Sequence, residues 1–289
     1  MNTVDKDVME FYDKGGEKGR LRSGIGLIEF ERTKELLAEY LPKPPAVIYD
    51  IGGGYGEYSW WLASLGYEVH LFDLSAKNIE MSAEPGREFP NAKLAASEVC
   101  DARIVPRADK TADAVLLMGP LYHLTEYSDR IAAIKESKRL LKDNGLLFSA
   151  ALTPYSVLLH SITLYRNGSG AKSTRLDNLE FIEMVERELR DGCHINPDNR
   201  IVGGLGTSHL HSAAELKAEL LDGGFANTKI HGVMGGAWLA PNIDALWADP
   251  NSREALMRTV RMLDGHDEVI GLSGHLLAVS GCNSNCGVL

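Results

Sequence analysis

The run Ala46-Val47-Ile48-Tyr49-Asp50-Ile51-Gly52-Gly53-Gly54-Tyr55-Gly56-Glu57-Tyr58 passes from an apolar stretch through spaced glycines into a helical pattern. A short apolar run that ends in glycines reads as a buried strand. Glycines at 52, 54 and 56 let the backbone turn sharply and approach a ligand with no Cβ in the way. The helix that follows, over 58–65, is stopped by Gly66 and offers its first N–H groups to the loop.

Outward from this unit the same alternation repeats. Residues 29–41 form an amphipathic helix ended by Pro42 and the Pro44-Pro45 pair. Strands are expected over 68–72 (ending in Asp73), 93–96, 112–118 and 146–152, with helices over 76–83 and 126–141. Strands alternating with helices through short connections predict a parallel sheet covered on both faces. After Leu152 the alternation lapses. Residues 153–206 are too long for a simple connection and contain a helix over 179–190. Alternation returns with a helix over 213–221, the turn Gly223-Gly224 and a strand over 228–233. Helices over 243–247 and 253–263 and a strand over 275–280 close the chain. The expected division is a helical cap (1–45), a ligand-binding half (46–152), an insertion forming a lid (153–206) and the completion of the sheet (207–289).

Residues 145–165 carry no Asp, Glu, Lys or Arg and have the length of a membrane span. Pro154 and several Ser and Thr interrupt them, however, and they divide into a strand and a helix, so they read as core. Across all 289 residues, 44% are hydrophobic and 24% charged, as in soluble globular proteins. The formal net charge of −10 disfavours a phosphate-backbone partner. The densest basic stretch, 14–22, is broken by Glu17 and by glycines. Residues 1–10 are charged and lack an apolar signal region, which predicts a cytoplasmic protein; for the same reason the sequon Asn167-Gly168-Ser169 carries little weight. Cys100, Cys193, Cys282 and Cys286 are too few and scattered for a disulfide framework.

The loop alone does not name its ligand. A dinucleotide fingerprint places its third glycine at 57; here that position is Glu57 and the glycine comes one residue early. A carboxylate there is unfavourable for a pyrophosphate but tolerated beside a cation. Asp73, about 20 residues beyond the loop, is placed to accept bonds from ribose hydroxyls. Asp50 to Gly56 resembles the first motif of class I (Rossmann-like) S-adenosylmethionine-dependent methyltransferases, and Leu71-Phe72-Asp73-Leu74 resembles the second. Cys100-Asp101-Ala102 is similar to the acidic turn that holds the adenine amino group in that family; Cys100 stands where glycine is more usual, and Glu98 is a rival for the role. Asp113 to Leu124 resembles the fourth motif, and its Gly-Pro-Leu-Tyr-His-Leu ending resembles a bacterial group acting on small molecules. The stretches 11–33, 209–225 and 271–279 are similar to that group as well.

The resemblance implies an α/β fold: a seven-stranded, mostly parallel, doubly wound sheet with an antiparallel last strand. It implies S-adenosylmethionine as cofactor and a small-molecule methyl acceptor. Asp50, Gly52, Gly54, Gly56, Asp73, Leu74, Asp101, Ala102 and Met118 would hold the cofactor, and Tyr12 would close over it. His123, directly after the fourth strand and titrating near neutrality, is the candidate base; the alternative is a core or helix-start histidine. Tyr122 can orient the acceptor. Arg20 and Arg32 can bind an acceptor carboxylate, or pair on the surface with Glu17, Glu29 or Glu35. His209 and His211 are candidate acceptor contacts. As metal ligands they lack an identifiable third partner, so no metal is expected. One of Trp60 and Trp61 should face the sheet. The competing readings are an NAD(P)-dependent oxidoreductase and a non-catalytic S-adenosylmethionine-binding protein.

Overall fold

The computed structural model describes residues 19–166, 176–196 and 206–282. Seven strands form one sheet in the order β3-β2-β1-β4-β5-β9-β8. They are β1 (Val47–Ile51), β2 (Glu68–Asp73), β3 (Ala96–Val99), β4 (Ala112–Leu117), β5 (Leu141–Leu152), β8 (Asn227–Gly232) and β9 (His275–Gly281). The pairs β1–β2, β2–β3, β1–β4 and β4–β5 are parallel. β9 lies antiparallel to both β5 and β8, so β9 alone runs against the sheet, as expected for the last strand.

Alternation along the central strands sorts side chains to the two faces. Ile48, Leu116, Phe148 and Leu277 pack with Leu36 of helix α1 (Ile25–Tyr40), Leu62 of α2 (Glu57–Ser64) and the helix Pro250–Leu263. Their neighbours Tyr49, Val115, Leu147 and Ala278 face the helices Tyr127–Leu140 and Ala213–Asp222 through Ile134, Leu216 and Leu220. Both faces are covered, which is why these strands read as continuous apolar runs. Trp61 packs against the first cluster, while Trp60 donates its indole N–H to the Ser82 carbonyl.

Several local expectations shift. The third strand is 96–99 and not 93–96. It is an edge strand whose residues alternate between half-buried and exposed, so its apolar content does not mark its limits. The helix expected over 76–83 breaks into α3 (Ala76–Met81) and α4 (Ala83–Gly86), where the Ser82 hydroxyl donates to the Ile79 carbonyl. The segment after β4, expected as a loop, is a single helical turn, α5 (Pro120–His123), with proline at its start. β5 begins directly after the helix α6 (Tyr127–Leu140). Its register jumps from Ala112↔Leu141 to Ala114↔Leu146, so Asn144-Gly145 lies within an irregular strand and does not precede it.

The charge-free stretch divides into β5 and the helix α7 (Ser156–Arg166). Among the described residues no helix is long and apolar enough to cross a membrane. The insertion also contains α8 (Leu179–Asp191), capped by the Asn178 side chain and closed by Gly192 at φ 71°. A ribbon follows, pairing β6 (Cys193–Ile195) with β7 (Thr207–His209) across the boundary expected at 206. The His211 N–H then donates to the Leu152 carbonyl at 2.8 Å, returning the chain to the end of β5.

Candidate active site

Strand order reverses between β1 and β4, and in open α/β sheets ligands bind beyond the carboxyl ends of the strands at that point. A cleft lies there, open to solvent at its mouth. The glycine loop forms one wall. The N–H groups of Gly52 and Gly53 donate to the Phe72 carbonyl at 2.7 and 3.2 Å, drawing the loop across the end of β2. Gly52 has φ 74°, and a Cβ there would meet the Pro120 ring at 2.6 Å; one on Gly53 would meet Asp50 Oδ2 at 2.5 Å.

Asp73 faces the cleft with its carboxylate already held. It accepts from the Gly54 N–H (2.8 Å), the Ser75 N–H (2.9 Å) and Asn78 Nδ2 (3.0 Å). A carboxylate offers about four acceptor sites, so capacity remains for a ribose hydroxyl. Burial raises its pKa. Asp50, at the end of β1, is fully buried and accepts from the Ser59 hydroxyl at 2.7 Å. Burial, with the charge of Asp73 adding to it, pushes its carboxyl up to about 7. Two buried acids side by side favour a cationic ligand. Gly54, Leu74, Ala102 and Met118 also line the cleft. Gly56 is not in the wall. At φ 80° it starts α2, and its N–H closes the loop onto the Gly53 carbonyl.

Asp101 lines the cleft, but Arg103 holds it through the backbone N–H (2.9 Å), Nε (3.0 Å) and Nη2 (2.6 Å). Burial raises the Asp101 pKa, yet these bonds outweigh it and leave the net value lowered. Arg103 Nη1 reaches Asp129 on α6 at 2.9 Å, tying the acidic turn to the element after α5. Sequence reasoning missed Arg103; its only signal is a guanidinium two residues from a cleft acid. Glu98 is outside the lining and pairs with Arg107 at 2.6 Å, which removes it as the rival.

At the other end of the cleft, Tyr122 and His123 line the wall with ring centroids 4.6 Å apart. The Tyr122 hydroxyl donates to the Met118 carbonyl at 3.3 Å. Burial lowers the His123 pKa to about 4, correcting the near-neutral value expected for a base. Arg20 lines the cleft, but its fork is taken by Glu29, at 2.7 and 3.1 Å. Arg22 fastens the same turn to Glu57 at 2.6 Å.

Arg32 is a correction. It is buried away from the cleft, bonded to Glu35 (2.8 Å) and Asp264 (2.6 Å). His209 and His211 are also outside the lining. They are buried and pair with Glu215 (2.9 Å) and Glu219 (3.3 Å). Glu219 is the third partner that the sequence did not reveal: its ligand atom and those of the two histidines lie within 4.8 Å of one another. Both its oxygens, however, already accept from Arg130, at 2.7 to 3.0 Å, so a guanidinium supplies the positive charge a metal ion would bring. Tyr12 lies outside the described residues.

Residues 49–149 match the family model described as "Methyltransferase domain". This segment is a methyltransferase domain. Over 118 residues the chain is 32% identical to the "Probable tRNA methyltransferase 9B" of Bos taurus, covering 40% of this chain and 23% of that protein. The chain thus spans about a quarter of the length of the first curated relatives. The "Ubiquinone/menaquinone biosynthesis C-methyltransferase UbiE" of Cellvibrio japonicus is 26% identical over 194 residues, 65% of this chain and 70% of that one. Among solved structures, a Thermotoga maritima S-adenosylmethionine-dependent methyltransferase described as a possible histamine N-methyltransferase superposes with a TM-score of 0.59. It is 13% identical and covers 97% of this chain and 100% of that one. A Methanosarcina mazei S-adenosylmethionine-dependent methyltransferase gives 0.54 at 17% identity, over 85% and 96%. The fold is therefore that of the S-adenosylmethionine-dependent methyltransferases. S-adenosylmethionine is the cofactor of such a domain, and the acidic, glycine-walled cleft suits it. The match sets aside the oxidoreductase alternative.

Proposed function

We propose that this protein transfers a methyl group from S-adenosylmethionine to a small-molecule acceptor of the kind used by the bacterial group its sequence resembles. One observation carries the reading. A single cleft runs from the acids Asp50 and Asp73, past the turn at Asp101, to Tyr122 and His123 at the end of β4. The acidic end fits a ligand bearing an ammonium, a sulfonium and ribose hydroxyls. The Tyr122–His123 end is where an acceptor would lie, at the end of the sheet from which the insertion departs at Thr153.

Bound there, S-adenosylmethionine supplies a methyl carbon with a good, neutral leaving group, so the main task left to the protein is alignment. Asp73 and the Gly54 N–H fix one end of the site. Tyr122 and His123 shape the other. With its pKa near 4, His123 is neutral through the physiological range and weakly basic. It is suited to accepting a hydrogen bond from the acceptor more than to removing a proton from it.

A nucleic-acid acceptor is suggested by the relatives named as probable tRNA methyltransferases, but that match spans 118 residues. The chain as a whole carries a net charge of −10, which opposes a polyanion. The test incubates the protein with methyl-labelled S-adenosylmethionine and two pools: a panel of phenols, quinols, amines and thiols, and total tRNA. Label is expected in the small-molecule pool. Label in tRNA overturns the acceptor class, and an absence of S-adenosylhomocysteine binding by calorimetry overturns the reading as a whole.

A further inference from the structure

A buried ion pair adjoins the turn that carries Tyr122 and His123 into the cleft. Arg130, on α6, and Glu219, on the helix Ala213–Asp222, are each 3% exposed. Arg130 Nε and Nη2 donate to the Glu219 carboxylate, at 2.7 to 3.0 Å. Its Nη1 donates instead to the carbonyls of Leu124 (3.0 Å) and Thr125 (2.8 Å). Leu124 lines the cleft, and its N–H closes α5 onto the Pro120 carbonyl at 2.9 Å. One guanidinium thus holds the exit of the turn whose Tyr122 and His123 are part of the cleft wall.

Glu219 also reaches the insertion. His211 Nε2 lies 3.3 Å from Glu219 Oε2, and the His211 N–H makes the bond that returns the chain to Leu152. Just before it, β7 packs against α5, and His209 of β7 bonds Glu215 on the same helix as Glu219 at 2.9 Å. Burial alone would raise the Glu219 pKa; the bonds from His211 and Arg130 outweigh it and bring the carboxyl down to about 2, so the pair is ionised. A buried ion pair adds little stability over well-packed apolar residues of similar volume. Bridging a carboxylate and two carbonyls at once, by contrast, needs the planar guanidinium with its five donors.

We propose that Arg130 is a positioning residue for methyl transfer: through the Leu124 and Thr125 carbonyls it fixes where Tyr122 and His123 stand in the cleft, and Glu219 and His211 tie that setting to the return of the insertion. The proposal rests on the methyl-transfer reading and goes beyond it, since Arg130, Glu219 and His211 are all outside the cleft lining. Geometry at this end matters because alignment is the main task of the protein; a misplacement of about 1 Å can cost about 10²-fold in rate. Lysine at 130 keeps the charge, but its single ammonium cannot span the carboxylate and both carbonyls. Arg130→Lys therefore separates the geometry from the charge.

The test compares Arg130→Lys with Arg32→Lys, which alters a second buried guanidinium, bonded to Glu35 and Asp264 away from the cleft. In protein saturated with S-adenosylhomocysteine, the His123 ring proton signals, assigned by their loss in His123→Gln, should shift in Arg130→Lys and stay in place in Arg32→Lys. With the acceptor panel, Arg130→Lys should lower kcat by about 10–10²-fold with S-adenosylhomocysteine affinity within twofold of the wild type, while Arg32→Lys turns over within threefold of it. The double substitution Arg130→Met with Glu219→Leu leaves neither charge buried alone and should give the same two results, including where Arg130→Lys does not fold. Unmoved His123 signals, or turnover within threefold of the wild type, in a folded Arg130 variant overturn the proposal. So do equal losses in Arg130→Lys and Arg32→Lys, or failure of both Arg130 variants to fold, which would make the pair purely structural. A wild-type protein that binds S-adenosylhomocysteine yet methylates no acceptor overturns the methyl-transfer reading, and this proposal with it.

Discussion

Asp50→Asn should make the free protein more stable and the liganded protein weaker. Asp50 is fully buried, its carboxyl pushed from an ordinary 3.8 to about 7. At about 1.4 kcal/mol per pH decade, keeping it ionised at pH 8 costs about 4 kcal/mol. Asparagine removes the charge and still accepts from the Ser59 hydroxyl, but it introduces a buried amide donor worth about 1–3 kcal/mol if unmatched. The net expectation at pH 8 is a gain of about 2 kcal/mol. Because the folded pKa is raised, the penalty on the wild type builds as pH climbs from 3.8 through about 7. The advantage of the variant should vanish at about pH 5, where the wild-type penalty falls to the cost of the unmatched amide, and reverse below it. Affinity should move the other way: loss of a charged partner for the ligand's ammonium should weaken S-adenosylhomocysteine by about 1.5–3 kcal/mol. Urea unfolding at pH 4.5, 6 and 8, with calorimetric titration at pH 8, measures both. A stability difference that is flat with pH, or one that favours the wild type more as pH rises, would refute the reasoning.

Asp73→Ala should likewise weaken S-adenosylhomocysteine by about 1.5–3 kcal/mol, while NADH should leave the melting temperature of the wild type unchanged; a melting shift with NADH alone would contradict the cofactor assignment. His123 has its folded pKa lowered to about 4 from 6.5, so the wild type should lose about 3 kcal/mol as pH falls from 6.5 to 4. His123→Gln should flatten that slope, as read by unfolding at several pH values. Glu219→Gln leaves Arg130 buried without its anion and should destabilise by about 3–5 kcal/mol; an unchanged urea midpoint would show that Arg130 finds another partner. Gel shifts with tRNA should show no salt-sensitive band at sub-micromolar protein.

Periodicity made most of the sheet legible. β1, β2 and β4 are buried, apolar and bounded by glycine or aspartate, so pattern and boundary agree within a residue. β3 was displaced because an edge strand is exposed on alternate residues and leaves little apolar signal. α5 was hidden because four residues are too few to show a period. At the site, the glycines and Asp73 were readable from spacing, since backbone geometry constrains them locally. Of the two readings offered for Arg20 and Arg32, the ion pairs with Glu29 and Glu35 are the ones formed, while Asp264, Glu215 and Glu219, which hold Arg32, His209 and His211, lie six or more residues away, where spacing cannot locate them. The Glu29–His275 pairing joins a helix near the start of the described residues to the last strand of the sheet, and only the three-dimensional fold brings them together.

The segment that leaves β5 at Thr153 comes back at His211, whose N–H bonds the carbonyl of Leu152, the residue just before the departure. Its two ends are therefore pinned to one point on the scaffold. A loop closed in this way adds little conformational cost as it lengthens, because closure entropy grows only with the logarithm of its length. Between those ends it builds a small apolar cluster of its own from Val157, Phe181, Met184 and Val185. A change in its length should therefore cost the strands beneath little stability.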